Sequence, residues 1–533
     1  MQVLDSSISD VLARIDGRGY KAYRDLEGRS ERVAGVTVRV VRVQGDPFAP
    51  PSIVSLEANV SHILKGAPEC RGARTAFEDL TLRTAGRVAN DVLRGVPRMG
   101  EGHSGQVRIA RPGPIMVPRS SVRLEGDRIR LLVRAGLPSR GRRILARNAH
   151  RLLLEILPRI MRETLTRMPR RISEWCKLWR DQEEIRRWMG EEGVVSFIAD
   201  GSILPRRCGG CWEPLPNAKP FRSPESLRVE VETRFHGTLT GMALREGLNL
   251  IVGPAFHGKT TLLQAIAQGV WNHIPGDGRE LVLTRRDAVL VESENGRSVR
   301  CVDLRAFLRS LPGGGDLKCF TTESASGATS VASSIQEAVM GGSRLILLDE
   351  DNVATNFLHR DVWVEEFTGK RTLVTLTELA ASMKRRGISL IVVASGALPL
   401  LAAADTIIVM DEYEPVDATH YKQEAEKRAQ EAGLARAEEY IPPTHRNLAP
   451  PRVGKWKLRG DLLELQLQGG RRQVLLHAGV AKQFEDPYML ETAVEAALTA
   501  RDPTGLVERS MIPERTWVRE LDVWMILNKL PLT

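Results

Sequence analysis

An eight-residue stretch, Gly253-Pro-Ala-Phe-His-Gly-Lys-Thr260, constrains the fold more than any other feature, because it fits the pattern GxxxxGK[ST] in full. It follows the apolar stretch LNLIVG and precedes the helix-forming stretch TTLLQAIAQGV. Glycines let backbone N–H groups turn inward around phosphate oxygens, and a helix N-terminus adds partial positive charge. The sequence therefore predicts a strand, a phosphate-binding loop and a helix. In this loop Lys259 would contact the β- and γ-phosphates, and the Thr260 hydroxyl would ligate Mg²⁺.

A second apolar stretch, Leu345–Leu348, ends in two acidic residues, Asp349 and Glu350. Behind a phosphate-binding loop, Asp349 is suited to hold Mg²⁺ through water, and Glu350 to orient or deprotonate an attacking water. The alternative is a strand that ends in a solvated acidic turn. We predict ATP and Mg²⁺ as cofactors, with Glu350 and Lys259 as catalytic residues and with Thr260 and Asp349 at the metal.

The segment Ser326-Gly-Ala-Thr-Ser330 opens the helix-forming stretch VASSIQEAVM, and Ser326 lies 23 residues before Asp349. A small hydroxyl residue followed by glycine at a helix start favours anion binding. ABC-type ATPases need a Ser-Gly signature at about this spacing, where it contacts the γ-phosphate held by the other subunit. The alternative is an ordinary serine-capped helix. The predicted nucleotide contacts are Gly253, Pro254, Ala255, Phe256, His257, Gly258, Lys259, Thr260, Thr261, Ser326, Gly327 and Ser395.

Hydrophobic patterning predicts an α/β fold. Short apolar runs between helical segments, such as SRLILLDED and ISLIVVAS, are typical of buried parallel strands. Alternating residues over 36–60 and 106–135 predict N-terminal strands, with a hairpin turn at Gly126 and Asp127. We predict three domains: a β-rich and basic helical domain over 1–190, an ABC-type ATPase domain over 191–445, and a small α+β domain over 446–533 that follows a proline-rich linker.

The positive charge is concentrated in one segment. The chain carries a net charge of +10, whereas residues 101–190 contain 21 basic and 9 acidic residues, a net of +12. Such a local excess favours a polyanion, either nucleic acid or an acidic membrane surface. The alternative is a solvated helical face whose arginines pair with acids. Aromatic residues make up only 5% of the chain, so composition indicates no obvious base-stacking platform.

Cysteines and apolar runs bear on the compartment. Six cysteines in 533 residues do not indicate a disulfide scaffold, so we expect a reducing compartment. Cys208-Gly-Gly-Cys211 has no second Cys or His pair nearby, which favours a glycine turn over a metal site. The uncharged run 388–404 is shorter than the roughly 20 residues of a membrane helix and contains Gly396 and Pro399. We expect two buried strands around a loop, no signal peptide at the start, and a soluble protein.

The sequence resembles the predicted ABC-class ATPase family, found in many bacteria and some eukaryotes. Besides the motifs above, the resemblance rests on RGYKAYRDLEG (18–28), VQGDPFAPPS (43–52), FIADGSILPR (197–206), NHIPGDGRE (272–280), ENGRSV (294–299), LLDEDNVATNF (347–357) and MDEYEPVDAT (410–419). It implies a homodimer of head-to-tail ATPase domains with two ATPs at the interface, and Asn352–Asn356 between the sites. One member is a mitochondrial RNA-binding ATPase associated with RNA editing in kinetoplastids. That member implies a basic RNA channel and a mitochondrial matrix location here, or a cytoplasmic one if the chain is bacterial.

The sequence departs from the usual ABC pattern at three places, and these leave the residue that senses the γ-phosphate unassigned. The switch histidine after the acidic strand has no evident counterpart, and Ser395-Gly396 stands where the family has Gly-Gly-Ser-Gly. The Q-loop glutamine is missing, and Glu292 or Glu294 is the candidate replacement. The predicted function is ATP hydrolysis coupled to RNA binding through a basic surface or channel, with protein partners in an RNA-processing complex. The alternative is a nucleotide-driven protein assembly factor that binds no nucleic acid.

Overall fold

The chain is described by a computed structural model that covers residues 7–311, 314–359, 367, 369, 371–467, 470–476 and 479–531. It groups into two compact units. The first unit contains Met1–Arg180 and Thr504–Trp517, and the second contains Asp181–Pro503 and Val518–Thr533. We predicted three domains, with boundaries at 190/191 and 445/446. The residues after 446 are divided between these two units, and the three-domain division stays a prediction.

The first unit is built on an antiparallel sheet with the order β1-β2-β3-β6-β4, in which β5 also pairs with β6. The hairpin predicted at Gly126 and Asp127 is confirmed, since Glu125 of β5 pairs with Arg128 of β6. A short hairpin, β7–β8, is separate from the sheet. The strands are β1 (Ser30–Val33), β2 (Val36–Arg42), β3 (Ser52–Asn59), β4 (Val107–Arg108), β5 (Val122–Glu125), β6 (Arg128–Ala135), β7 (Ser139–Arg140) and β8 (Arg143–Ile144).

Helices accompany this sheet, and a proline marks the start of one of them. Pro158 lies in the first turn of α5, directly after the π-helical segment Arg151–Ile156, and the helical backbone continues through Ile156 and Leu157. The helices are α1 (Ile8–Ile15), α2 (Ser61–Gly66), α3 (Arg74–Leu93), α4 (Ala146–His150), a π-helical segment (Arg151–Ile156), α5 (Leu157–Arg167) and α6 (Ile172–Glu191). Short 3-10 turns cover Tyr20–Leu26, Pro68–Gly72 and Met168–Arg170.

The second unit contains a six-stranded sheet with the order β14-β17-β18-β12-β19-β20, parallel except for β20. Its central strands are buried apolar runs, as expected for a sheet covered on both faces. A second, antiparallel sheet has the order β10-β11-β9-β13. The strands are β9 (Val194–Ala199), β10 (Arg228–Thr233), β11 (Gly237–Arg245), β12 (Leu248–Val252), β13 (Val282–Thr284), β14 (Ala288–Val291), β15 (Arg297–Val302), β16 (Phe320–Ala325), β17 (Leu345–Asp349), β18 (Ser389–Val393), β19 (Thr406–Asp411), β20 (Glu414–Asp417), β21 (Lys455–Arg459), β22 (Leu462–Leu467) and β23 (Gly470–Leu475).

Helices link these parallel strands, so the carboxyl ends of β12, β17 and β18 lie side by side at one edge of the sheet. In open α/β sheets this edge is where ligands bind. The helices from β12 to the end of the chain are α7 (Lys259–Gln268), α8 (Gly327–Met340), α9 (Thr355–Leu358), α10 (Leu376–Arg385), α11 (Leu398–Ala403), α12 (Lys422–Glu431), α13 (Met489–Thr499), α14 (Pro503–Glu508) and α15 (Glu520–Lys529). Apart from Pro503, α14 belongs to the first unit. Short 3-10 turns cover Glu225–Leu227, Glu350–Asn352, Thr419–Tyr421 and Gly479–Gln483.

The two strands predicted around the loop of the uncharged run 388–404 are confirmed as β18 and β19. The connection between them, which we expected to be a loop, contains the short helix α11. Within the described ranges, no helix is both long and apolar enough for a transmembrane span.

The cysteines differ from expectation. All six form disulfides, between Cys70 and Cys176, between Cys208 and Cys211, and between Cys301 and Cys319. The expectation of a chain without disulfides is therefore wrong for this structure. The reason is topological: Cys70 and Cys176 are 106 residues apart in sequence, and only the fold brings them together. The residues that the structure describes contain no group of three or more His, Cys, Asp or Glu side chains placed to hold a metal ion.

Candidate functional site

The loop 253–260 has a backbone that only glycine can adopt at its first position. Gly253 follows the buried strand β12 with φ 136°, in the left-handed region. A β-carbon at Gly253 would lie 2.4 Å from the carbonyl oxygen of Met410, so any side chain there would overlap the neighbouring strand. Gly258, with φ 95°, is the N-cap of α7. The loop therefore closes tightly against the sheet edge, and α7 begins at its end, where a helix N-terminus favours an anion.

Lys259 folds back across the loop. Its Nζ donates to the carbonyl oxygens of Gly253, at 2.6 Å, and Pro254, at 2.8 Å. The hydroxyl of Thr260 donates to Oδ2 of Asp349 at 3.1 Å, which joins two motifs that are 89 residues apart. Ala255 and Phe256 are exposed on the outside of the loop, and Thr261 is half-buried in the first turn of α7.

Asp349 ends β17 and is buried. Burial is the largest influence on its carboxyl group and raises its pKa. Hydrogen bonds from the Asp351 N–H and the Thr260 hydroxyl oppose this shift, while the charges of Asp351 and Glu292 add to it. A divalent cation bound at this point would reverse the shift, because it favours the ionised carboxylate. A threonine hydroxyl beside a carboxylate is the kind of oxygen pair that Mg²⁺ uses in proteins, so these residues fit the ion.

Glu350 is held from two sides. Its Oε2 accepts the backbone N–H of Ser395 at 2.6 Å, and Nε2 of His359 lies 3.5 Å from its Oε1. The Glu350 side chain is only 12% exposed. The structure thus brings Ser395, at the end of β18, to the predicted water-activating residue. Sequence reasoning missed His359, because no motif surrounds it. The absence of a usual switch histidine stays a prediction.

The two candidates for the missing glutamine are both engaged by lysines. Glu292 accepts Lys482 Nζ at 2.9 Å, and Lys529 Nζ lies 2.8 Å from Oε1 of Glu294. The Glu294 N–H also donates to the Ser330 hydroxyl at 3.0 Å, which links this segment to α8. Neither carboxylate forms a contact with the loop 253–260 among the hydrogen bonds of the described residues. A role in sensing phosphate stays a prediction.

The Ser-Gly turn lies at the start of α8. Ser326 is exposed and extended at the N-cap, and its N–H donates to the Thr329 hydroxyl at 3.3 Å. The carbonyl of Gly327 accepts the Ser330 hydroxyl at 2.9 Å. The hydrogen bonds found for this turn within the described part of the chain are local. Ser326 and Gly327 therefore stand outside the group that Thr260, Asp349, Glu350 and Ser395 form.

The segment Asn352–Asn356, predicted to lie between two sites, follows directly after Glu350. The Asn352 side chain is exposed, and its carbonyl accepts the Ser293 N–H at 2.8 Å. Its place at a subunit interface stays a prediction.

A glycine loop on a helix N-terminus, with a hydroxyl–carboxylate pair beside a glutamate, defines a P-loop nucleotide-binding protein. A model of the ABC_ATPase P-loop domain matches residues 168–446, and one of the N-terminal domain of ATPases of the ABC class matches residues 5–168. The chain belongs to this family of ABC-class ATPases.

Two individual proteins are similar to parts of the chain. An uncharacterized protein, MJ1628, from Methanocaldococcus jannaschii is 31% identical over 260 residues, which is 46% of this chain and 56% of that protein. The match thus spans little more than half of the relative's length. The solved structure of cbiO1 from Clostridium perfringens, part of the ABC transporter complex cbiONQ, is 17% identical and covers 38% of this chain and 92% of its own. Its TM-score of 0.24 carries no argument about this protein.

Proposed function

We propose that this protein hydrolyses ATP with Mg²⁺. The observation that carries the proposal is the hydrogen bond between Thr260 and Asp349, directly beside the restrained carboxylate of Glu350. The N–H groups of the loop 253–260 bind the phosphates, and the Lys259 ammonium exchanges its two carbonyl partners for phosphate oxygens. Thr260 and Asp349 would hold Mg²⁺, which would supply charge neutralisation at the phosphates.

Glu350 acts as the general base in this proposal. The Ser395 N–H fixes one carboxylate oxygen, which leaves the other to accept a proton from water. His359 lies on that second oxygen and helps to set its direction. A general base contributes by removing the proton as the water attacks, and its efficiency depends on this positioning.

Hydrolysis in this proposal needs two copies of the chain. Ser326 at the N-cap of α8 is exposed, Gly327 beside it is half-buried, and the hydrogen bonds found for this turn within the described residues are local. A head-to-tail homodimer places this turn against the γ-phosphate bound by the partner, where the α8 N-terminus stabilises negative charge. ATP binding then closes the dimer, and hydrolysis opens it.

The proposed ligand coupled to this cycle is RNA. In the first unit, the β7–β8 hairpin presents exposed arginines, Arg140, Arg142 and Arg143, and exposed Arg147 follows in α4. Arg18 joins this basic hairpin surface, because the Ile144 N–H donates to its carbonyl at 2.9 Å. Positive charge in such a cluster suits a phosphate backbone. By the family resemblance, a mitochondrial setting and a role in RNA editing belong to the same proposal.

The alternative, a protein assembly factor, is favoured by a different observation. Several arginines of the basic segment pair with acidic residues of the first unit and are thus partly neutralised. These are Arg119 with Asp79, Arg123 with Glu508, Arg134 with Glu514, Arg159 with Glu163, Arg167 with Asp91, and Arg171 with Glu174. If the hairpin surface binds protein, acidic partners are expected in place of RNA.

ATP hydrolysis is tested by phosphate release from the purified full chain with Mg²⁺ and ATP. Lys259→Ala should lose turnover, because the phosphates lose their lysine contact. Lys427→Ala, an exposed lysine on α12, is the matched control and should keep the parental rate. A parental protein without turnover, or a Lys259→Ala variant at the parental rate, contradicts the proposal.

RNA binding is tested by filter binding of a uridine homopolymer across a salt series. Single-strand affinity should fall with a log–log slope of about 0.7 per phosphate contact, so Arg140→Ala/Arg142→Ala/Arg143→Ala should lower the slope by about 2. Arg159→Ala/Arg167→Ala removes two arginines that are already paired with acids and should change the slope less. Salt-independent or absent binding contradicts RNA as the ligand and supports the protein-partner alternative.

A further inference from the structure

A tyrosine lies directly on the phosphate loop without belonging to it. Tyr413 is in the turn between β19 and β20, and a β-carbon placed on Gly258 would lie 3.3 Å from Cδ1 of its ring. The same point is 3.7 Å from Cε of Met410. Although it packs against the loop, Tyr413 is 62% exposed. Its ring therefore presents an open face beside the proposed phosphate site.

The turn that carries this ring is the two-residue loop of the β19–β20 hairpin, because Asp411 pairs with Glu414. Glu412 has φ 44° and Tyr413 has φ 71°, and positive φ at both positions is what a common two-residue hairpin turn requires. Phe256, inside the phosphate loop, has φ 68°, in the left-handed region that bulky L-residues rarely adopt. Single residues held in this region cluster at ligand sites.

Polar contacts fix the turn on the loop. Nδ1 of His257 accepts the Glu412 N–H at 2.9 Å, and it lies 3.3 Å from Oδ1 of Asp411. On the other side, Lys219 Nζ lies 2.9 Å from Oε1 of Glu414. Because His257 belongs to the phosphate loop itself, the position of Tyr413 depends directly on the position of that loop.

The exposed rings of Tyr413 and Phe256 offer apolar area on which a planar ligand can stack. Phe256 is 93% exposed, two residues before Gly258, and together with Tyr413 it forms what we name the aromatic rim. Large aromatic side chains gain free energy when they are covered, and they stack well on flat rings. A nucleotide whose phosphates occupy the loop carries such a ring at its other end.

We propose that the aromatic rim binds the nucleobase, with Tyr413 as the stacking platform and Phe256 as a second wall. This inference rests on the proposed ATP binding and names the residues that recognise the base. Stacking uses the π-face common to all bases, so the rim selects nucleotides over plain polyphosphate and discriminates weakly between adenine and guanine. This explains how a chain with few aromatics can still hold a base.

The test compares ATP with inorganic tripolyphosphate, both with Mg²⁺, by calorimetry on the full chain. Tyr413→Ala should weaken ATP binding about tenfold or more and leave tripolyphosphate binding within about twofold. Tyr413→Phe keeps the ring and should bind ATP as the parent does. Tyr421→Ala is the matched control, since Tyr421 is 61% exposed in the same unit and lies outside the rim.

Other results overturn the inference. If Tyr413→Ala weakens both ligands equally, the ring only supports the phosphate loop. If it weakens neither, the base lies elsewhere. If it abolishes ATP-dependent association of two chains at unchanged ATP affinity, the rim is a protomer contact. A parent that binds tripolyphosphate but gains nothing from the base also contradicts the platform, whereas a parent that binds neither ligand contradicts the proposed function itself.

Discussion

Replacing Glu350 by glutamine tests the proposed general base while the hydrogen bond that positions this side chain is kept. Glutamine has nearly the same shape, and its amide oxygen can still accept the Ser395 N–H that Oε2 accepts at 2.6 Å. The substitution removes the negative charge and the ability to take a proton. The charge that is removed faces Nε2 of His359, which lies 3.5 Å from Oε1.

The expected magnitude follows from these contacts. Loss of a positioned general base slows turnover by about 10²- to 10⁴-fold, which corresponds to about 3–5 kcal/mol of transition-state stabilisation. Binding of ATP should change little, because Thr260, Asp349 and Lys259 keep their geometry. Stability should also change little, since the backbone hydrogen bond from Ser395 is retained.

The assay is single-turnover phosphate release with Mg²⁺, together with ATP affinity measured on the same protein. Asp351→Asn is the matched control: it removes a carboxylate one residue away, at an exposed position, and should stay near the parental rate. Parental turnover by Glu350→Gln would refute the assignment of the base. Equal losses in both variants would show that local charge, rather than the Glu350 carboxylate, controls the rate.

Three further predictions concern the loop, the metal and the first unit. Gly253→Ala should lower thermal stability and nucleotide binding, because φ 136° alone costs about 1–3 kcal/mol and the new methyl group overlaps Met410. Gly190→Ala, in helix α6, meets no atom within 4 Å and should leave stability unchanged or raise it by up to about 1 kcal/mol. Burial raises the pKa of Asp349, so at a given acidic pH more of this carboxyl group is protonated than in an exposed aspartate. As pH is lowered, the Mg²⁺ affinity should therefore begin to fall at a higher pH than it would for an exposed aspartate. A Mg²⁺ affinity that stays unchanged until the pH at which an exposed aspartate protonates contradicts this. Cys176→Ser should lower the free energy of unfolding by about 4–5 kcal/mol in denaturant, because the disulfide closes a loop of 106 residues. Cys208→Ser opens a disulfide that spans three residues and should change this free energy little. Equal effects of the two variants would refute the dependence on loop length.

The sequence predicted those features that depend on short stretches of chain. The loop 253–260, the acidic strand end at Asp349 and the hairpin at Gly126 each have a local pattern with a physical cause. The α/β class followed from apolar runs of strand length. The link between Thr260 and Asp349 was also expected, because two such motifs in one parallel sheet meet at its carboxyl edge.

Features that depend on long-range contacts were not predictable. His359 carries no motif, and only the turn after α9 brings it to Glu350. Lys482 and Lys529 reach Glu292 and Glu294 from the far end of the sequence, which no spacing rule indicates. The disulfide between Cys70 and Cys176 and the placement of Tyr413 on the phosphate loop arise from topology in the same way.

The central claim, that two chains share each nucleotide, is tested most directly by sedimentation velocity of the Glu350→Gln protein with Mg²⁺. This variant should retain ATP and hold the closed state, so the account predicts the mass of one chain without nucleotide and of two chains at saturating ATP. Ser326→Arg in the same background should return the protein to a single chain, because it blocks the helix start that the proposed dimer would place against the phosphate of the other chain. A single-chain mass for Glu350→Gln at saturating ATP would contradict the account.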